Sequence, residues 1–396
     1  MGQPSRCVHV ALEMQPVAPK PLLTELTSAR FIAAMAVVIG HFADMLALPP
    51  IVARFISGGI GVSFFFVLSG FILCYRYWDT FSNGVRANDF RMYFVARIAR
   101  IYPLYVLALV LITGLYFAVV TIRPGAINFP ANVVTSWLAN LFALQTFAPT
   151  VATQQFWNAP SWSISTEFGF YLLLPFILAL IAKYIRDTAS LVLLLGFTIA
   201  MGIVAQATTM IMVLGFQMDR VILLDHFASR NIFWRLPEFV VGVITARLLY
   251  GGHLSWLSEK SHRNLLLAMS VAFVVALNLA PWPENGQSFM IMRQFRLDLG
   301  YMIPFACVVV SLAAGPTFLS NVLQRPFSET LGEASYGLYI LHWTPWMGLT
   351  MGHAAGMPVT PAMTAIAIVL TVLFSVASFL WFERPLRVAI RQRFGR

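Results

Sequence analysis

Charge is what this chain has least of. Asp, Glu, Lys and Arg make up 11% of its 396 residues, against about 25% in an ordinary soluble domain. That shortage excludes a surface facing water on all sides. Cysteine is equally scarce. Cys7, Cys74 and Cys307 stand far apart, which excludes a disulfide framework and a cysteine-based metal spacing. The opening residues carry Glu13 and several prolines, without an apolar stretch ahead of a small-residue cleavage site. They do not read as a secretory signal, and residues 1–25 are expected to form a mobile cytosolic tail.

What the chain has instead is hydrophobicity, 59% of its residues, gathered into long runs. A helix that crosses a bilayer needs about 20 apolar residues. Charge-free runs at Ile56–Tyr75, Ile101–Ile122, Thr188–Met218, Asn264–Pro283 and Leu299–Gln324 meet that length. Ala334–Phe382 is long enough for two helices, divided at the turn-rich Gly352–Pro358. Thr27–Leu48, Ser161–Ala182 and Ile232–Tyr250 read as spans that tolerate a few ionisable groups. Residues 132–148 are apolar but short, which fits an interfacial or re-entrant helix. The fold expected is an all-α polytopic membrane bundle of ten spans.

The net charge of +10 could suggest nucleic acid, but the basic residues form no face with interleaved aromatics. They lie between apolar runs, which points to lipid headgroups and membrane orientation. With ten spans, 19 of the 26 basic residues fall on one side, and Arg54, Arg123, Arg220, Arg230, Arg235, Arg293 and Arg296 on the other. By the positive-inside rule both termini are cytosolic, with 388–396 a basic cytosolic tail.

Ionisable residues inside spans are costly and mark function. Arg30 and His41 lie eleven residues apart on the first span, which is three helical turns plus roughly 20°, so they share a face about 16 Å apart. Glu167, in Pro160-Ser161-Trp162-Ser163-Ile164-Ser165-Thr166-Glu167, is expected at the depth of His41 on an antiparallel helix. A carboxylate beside a histidine fixes its tautomer and raises its basicity, as a general base requires. The alternative for His41 is a hydrogen-bonded packing residue, and Asp44 is a rival partner. Arg97 and Arg100 share one helix face at the cytosolic interface. They read either as membrane anchors or as a clamp for phosphates. His342 is a second candidate for the active centre, or a structural group beside a proline kink. Glu238 is ambiguous. His226, His253, His262 and His353 are placed in loops or at their margins and given no role.

These residues resemble the signature of the acyltransferase-3 family of integral membrane acyltransferases. Arg30 and His41 look like its Arg-ten-His motif, and Gly61-Val62-Ser63-Phe64-Phe65-Phe66-Val67-Leu68-Ser69-Gly70-Phe71 is similar to its second-helix signature. Arg97 and Arg100 before Ile101-Tyr102-Pro103 match its paired arginines. Pro160-Ser161-Trp162-Ser163 with Glu167, Leu331–Trp343 and Phe382-Glu383-Arg384-Pro385-Leu386 match further hallmarks. The likeness covers about Leu26 to Arg387, a single transmembrane domain at 26–387. Two positions depart from the pattern: Ser63, where Asp is frequent, and Phe168, where an acidic or amide residue is frequent.

The resemblance implies transfer of an acyl group, most often acetyl, to a hydroxyl of a carbohydrate or glycan, in a bacterial inner membrane. It implies acyl-CoA as co-substrate from the cytosolic side, bound by Arg30, Arg97 and Arg100. His41 would be the base or a covalent acyl relay, with Glu167 as its partner and Ser69, Trp162, Ser163 and His342 in support. No bound cofactor, metal or nucleic acid is expected. Some relatives carry a soluble domain after the last helix, a role another protein would fill here if it is needed. Two other readings stand beside this one: O-acylation of a small alcohol such as a macrolide, and a transporter or flippase of a lipid-linked molecule. Residues 27–215 and 232–382 show no internal similarity, which counts against transport. The acceptor, the acyl length and the oligomeric state are not legible.

Overall fold

A computed structural model describes residues 22–56, 58–148, 151–215, 230–280 and 299–394. The tail as far as residue 21, His226, and the expected span ends at 216–218 and 281–283 lie outside the described residues. Those described form helices joined by turns, with no strand among them. In chain order they are α1 (Thr24–His41), α2 (Pro50–Phe55), α3 (Gly58–Phe81), α4 (Ala87–Ile122), α5 (Val133–Leu141), α6 (Val151–Gln155), α7 (Trp162–Tyr184) and α8 (Thr188–Gly215). There follow α9 (Ile232–Tyr250), α10 (Lys260–Leu279), α11 (Met302–Ala313), α12 (Ser320–Leu323), α13 (Pro326–Leu341), α14 (Trp343–Ala354), α15 (Pro361–Ser378) and α16 (Arg384–Phe394).

Among the described residues six helical segments are long and apolar enough to cross a membrane: Pro50–Phe81, Ala87–Ile122, Ala159–Tyr184, Thr188–Thr209, Lys260–Leu279 and Pro361–Phe394. The other expected spans correspond to α1, α9, α11 and the broken pair α13–α14, which are shorter or more polar. Two of them have a clear cause. Glu25 lies buried in α1, and Arg235 and Glu238 lie buried in α9. Such groups face protein, not lipid, and dilute the apolar signal of their helices.

Glycine sets how closely the central helices approach. A Cβ on Gly70 would overlap the carbonyl oxygen of Phe239, and one on Gly242 would overlap that of Val67, so α3 and α9 pack backbone to backbone. Gly332 meets the Thr27 carbonyl in the same way and seats α13 on α1. Small residues perform this service wherever helices associate without a hydrophobic driving force. The N-terminal end of α1 is pinned through Glu25, which accepts from Ser320 Oγ at 2.5 Å and Gln324 Nε2 at 2.9 Å.

Arg235, counted with the outer basic residues although it falls inside the expected span Ile232–Tyr250, lies within α9. It is buried against Glu238 at 3.0 Å, with its guanidinium over the Phe66 ring. Arginine this deep needs a counter-charge on hand, and Glu238, one turn on, supplies it. His353, expected in a loop, lies in the last turn of α14. The expected basic tail is helical to Phe394 as part of α16.

The apolar segment at 132–148 contains α5 followed by a tight 3-10 turn at Gln145–Phe147. Its amide donors find partners inside the protein: Gln145 Nε2 donates to the Ser161 carbonyl at 3.0 Å, and Asn140 Nδ2 to the Thr153 carbonyl at 2.8 Å. Irregular backbone is tolerated at membrane depth only with such internal partners.

Candidate active site

Arg30 and His41 sit on one face of α1 as their spacing requires. Near Arg30 the helices leave a chamber whose wall carries Arg30, Arg76, Arg97, Arg100 and Glu167, together with Ser69, Ser163, Tyr171, Ser335, Tyr336 and Tyr339. Four guanidinium groups therefore face one carboxylate. Arg30 and Arg100 bring their guanidinium groups to this wall from α1 and α4. Arg97 donates to Tyr77 Oη at 3.1 Å, while its Nε is buried without a hydrogen-bond partner. Forked donors of this kind suit the oxygens of phosphate.

Glu167 is fixed from two sides. Ser69 Oγ donates to its Oε1 at 2.8 Å, and Tyr171 Oη, one turn along α7, donates to the same oxygen at 2.7 Å. The expected pairing of Glu167 with His41 is not what the geometry gives. Helix α3 packs against both α1 and α7, so Glu167 finds Ser69 of α3 before it can reach α1.

The partner of His41 is His342. Its Nε2 stands 3.2 Å from His41 Nδ1, with the ring centroids 5.0 Å apart. The Val37 carbonyl approaches the same Nδ1 at 3.0 Å. A carbonyl oxygen is only an acceptor, so Nδ1 must carry the proton, and Nε2 of His41 keeps the lone pair. Trp343 meets the His41 ring edge-on at 5.5 Å, and Trp346 Nε1 donates to the His41 carbonyl at 2.7 Å. His342 can stand here because the chain breaks between α13 and α14: Pro345, three residues on, has no N–H for the Leu341 carbonyl.

Tyr339 joins the chamber to the histidine pair. Its hydroxyl bonds Ser163 Oγ at 2.7 Å and donates to the Pro160 carbonyl at 2.9 Å, and its ring lies 6.1 Å from that of His342. Phe65 crosses it edge-on at 5.9 Å. Trp162 is not on the chamber wall. It packs on Phe66 and lies under the Arg230 guanidinium.

Of the residues singled out from sequence, Arg30, Arg97, Arg100, Glu167, Ser69 and Ser163 thus share one chamber, while His41 and His342 form a second cluster beyond Tyr339. Sequence reasoning missed Arg76, Tyr171, Tyr336 and Tyr339. Arg76 lies seven residues from Ser69 and Tyr171 four from Glu167, so helical spacing from the named residues could have found both. No group of three or more potential metal ligands is gathered anywhere among the described residues.

Several bilayer-length helices, a cationic chamber and a histidine pair beyond it define a multi-pass membrane protein with a candidate reaction site. The chain belongs to the acyltransferase family, whose acyltransferase domain matches residues 23–380, and it is an acyltransferase acting on groups other than aminoacyl groups. It is similar to "Acyltransferase MdmB" of Streptomyces mycarofaciens, 26% identical over 347 residues that cover 84% of this chain and 80% of the relative. It is also similar to "Putative peptidoglycan O-acetyltransferase YrhL" of Bacillus subtilis (strain 168), 24% identical over 351 residues. That match covers 86% of this chain but 52% of the relative, so the chain spans about half of that protein's length. No solved structure matches it.

Proposed function

We propose that this chain is a membrane O-acyltransferase that moves an acyl group, acetyl in the first instance, from acyl-CoA to a hydroxyl of a carbohydrate or glycan. What supports the reading is a four-arginine chamber and, across Tyr339 from it, a histidine whose Nδ1 is engaged by Val37 and His342 while its Nε2 is engaged by neither. Arg30, Arg97 and Arg100 hold the phosphates of the donor. Its thin arm extends about 16 Å along α1, the distance from Arg30 to His41. The glycan acceptor is favoured because one relative is named for O-acetylation of peptidoglycan.

In the chemical step His41 Nε2 takes the proton of the acceptor hydroxyl as its oxygen attacks the thioester carbonyl carbon. The C–O bond forms, the C–S bond breaks, and the proton passes from the imidazolium to the leaving thiolate. His342 orients His41 through Nδ1, the task first expected of Glu167. Glu167, held by Ser69 and Tyr171, stays in the donor chamber as an acceptor for the arm. The same reading places ten spans in a bacterial cytoplasmic membrane with both termini cytosolic, so that the donor enters from the side richest in arginine.

The experiment is donor turnover by the detergent-purified protein with glycan acceptors, comparing wild type with His41→Ala and Arg97→Ala. Loss of turnover in the first and a raised donor KM in the second support the reading. A wild-type protein that neither binds nor consumes acyl-CoA rejects it.

A further inference from the structure

The chamber wall on α3 is one helix face, and along its middle Val62, Phe65, Ser69, Ile72 and Arg76 recur every three or four residues. Continued one turn toward the start of the helix, about 6 Å, the stripe arrives at Gly58. A Cβ placed there would lie 3.4 Å from His41 Cε1, 3.8 Å from His41 Nε2 and 3.8 Å from Val37 Cγ1. These are ordinary contacts, so a methyl group would fit without moving anything.

The other glycines near the site behave differently. At Gly61 a Cβ would crowd Val37 Cγ2 at 2.5 Å and the Ala33 carbonyl oxygen at 2.6 Å, and at Gly70 it would overlap a carbonyl oxygen. Packing demands glycine at those positions. At Gly58 it does not, and Gly58 is not among the glycines with positive φ. Neither packing nor backbone conformation explains the missing side chain. What it leaves is room beside the one ring nitrogen of His41 that Val37 and His342 do not engage.

We infer that Gly58 is a positioning residue that keeps open the reaction space in front of His41 Nε2, where the acceptor hydroxyl and the acyl carbonyl meet. The inference rests on the acyltransferase reading for its chemistry, but its geometry stands apart from it. A reacting oxygen must come within about 2.6–3.2 Å of the base, and a methyl group at Gly58 would occupy that approach. Displacing a reacting group by about 1 Å costs on the order of 100-fold in rate.

The test is Gly58→Ala in the full-length protein, read in two ways. The first is turnover: kcat is expected to fall about 100-fold, with donor KM and melting temperature unchanged. The second needs no activity: diethyl pyrocarbonate modification of His41, mapped by peptide mass, is expected to slow relative to wild type. Gly114→Ala, where nothing lies within 4 Å, is the control. Modification of His41 at the wild-type rate overturns the inference, as does unchanged kcat, or a fall in kcat that comes only with a lower melting temperature. If wild type consumes no donor while Gly58→Ala still shields His41, the acyltransferase reading fails and the assignment of Gly58 stands.

Discussion

His342 Nε2 lies 3.2 Å from His41 Nδ1, on the nitrogen that the Val37 carbonyl also approaches at 3.0 Å. Two groups on different helices thereby engage one nitrogen of the imidazole and leave the other for chemistry. The Val37 bond is local, between residues one turn apart, and fixes where the proton sits. The His342 bond is long-range, and fixes the ring against α13.

That division predicts unequal effects. His342→Phe keeps the ring and removes the acceptor, a loss worth about 1 kcal/mol. We expect kcat to fall about 5- to 10-fold with donor KM unchanged. His41→Ala removes the base itself, for which about 100- to 10,000-fold is expected. Steady-state kinetics of the two variants side by side check the ranking.

Arg97 is the chamber arginine whose Nε is buried without a hydrogen-bond partner. A charge-assisted bond to phosphate is worth about 1.5–3 kcal/mol, so Arg97→Ala should raise donor KM by roughly 10- to 100-fold. Arg97→Lys should recover only part of this, because an ammonium cannot reproduce the forked geometry. Titration calorimetry with acyl-CoA measures both.

Gly70 and Gly242 let α3 and α9 touch through their backbones. Gly70→Ala and Gly242→Ala each force the helices apart, at a cost of about 1–3 kcal/mol. Melting temperature in detergent should fall for both and stay unchanged for Gly114→Ala.

Arg235 and Glu238 form a fully buried ion pair. Removing one member strands the other charge, so Glu238→Ala should destabilise the fold by about 3–5 kcal/mol. Fluorescence-detected size exclusion of Glu238→Ala should show loss of the monodisperse peak.

The long helices were legible because their outward faces must be apolar: α4 exposes Val110, Leu111 and Phe117, and α8 exposes Leu193 and Phe197. Helices α1 and α9 were harder, since their charged residues face neighbouring helices. Arg30, Arg97, Arg100 and Glu167 could be picked out because ionisable groups stand out against an apolar background. Arg76 is harder, since a chamber residue and a positive-inside anchor look alike in sequence, and only its seven-residue spacing from Ser69 sets it apart. The mistaken pairing of His41 with Glu167 has a geometrical cause. Counting residues gives depth along a helix, but not which helix lies between. Here α3 packs on both α1 and α7 and offers Ser69 to Glu167. The link to His342 joins residues 301 positions apart, and only the break between α13 and α14 brings it about.

The central claim is that His41 Nε2 is the base for acyl transfer from a donor held by the arginine chamber. The most direct measurement is acetyl-CoA turnover by wild type and His41→Ala in the presence of a glycan acceptor, with donor binding recorded for each. The account predicts that wild type consumes the thioester and acetylates the acceptor, while His41→Ala binds the donor with wild-type affinity and turns it over at the background rate. Full turnover by His41→Ala would contradict it.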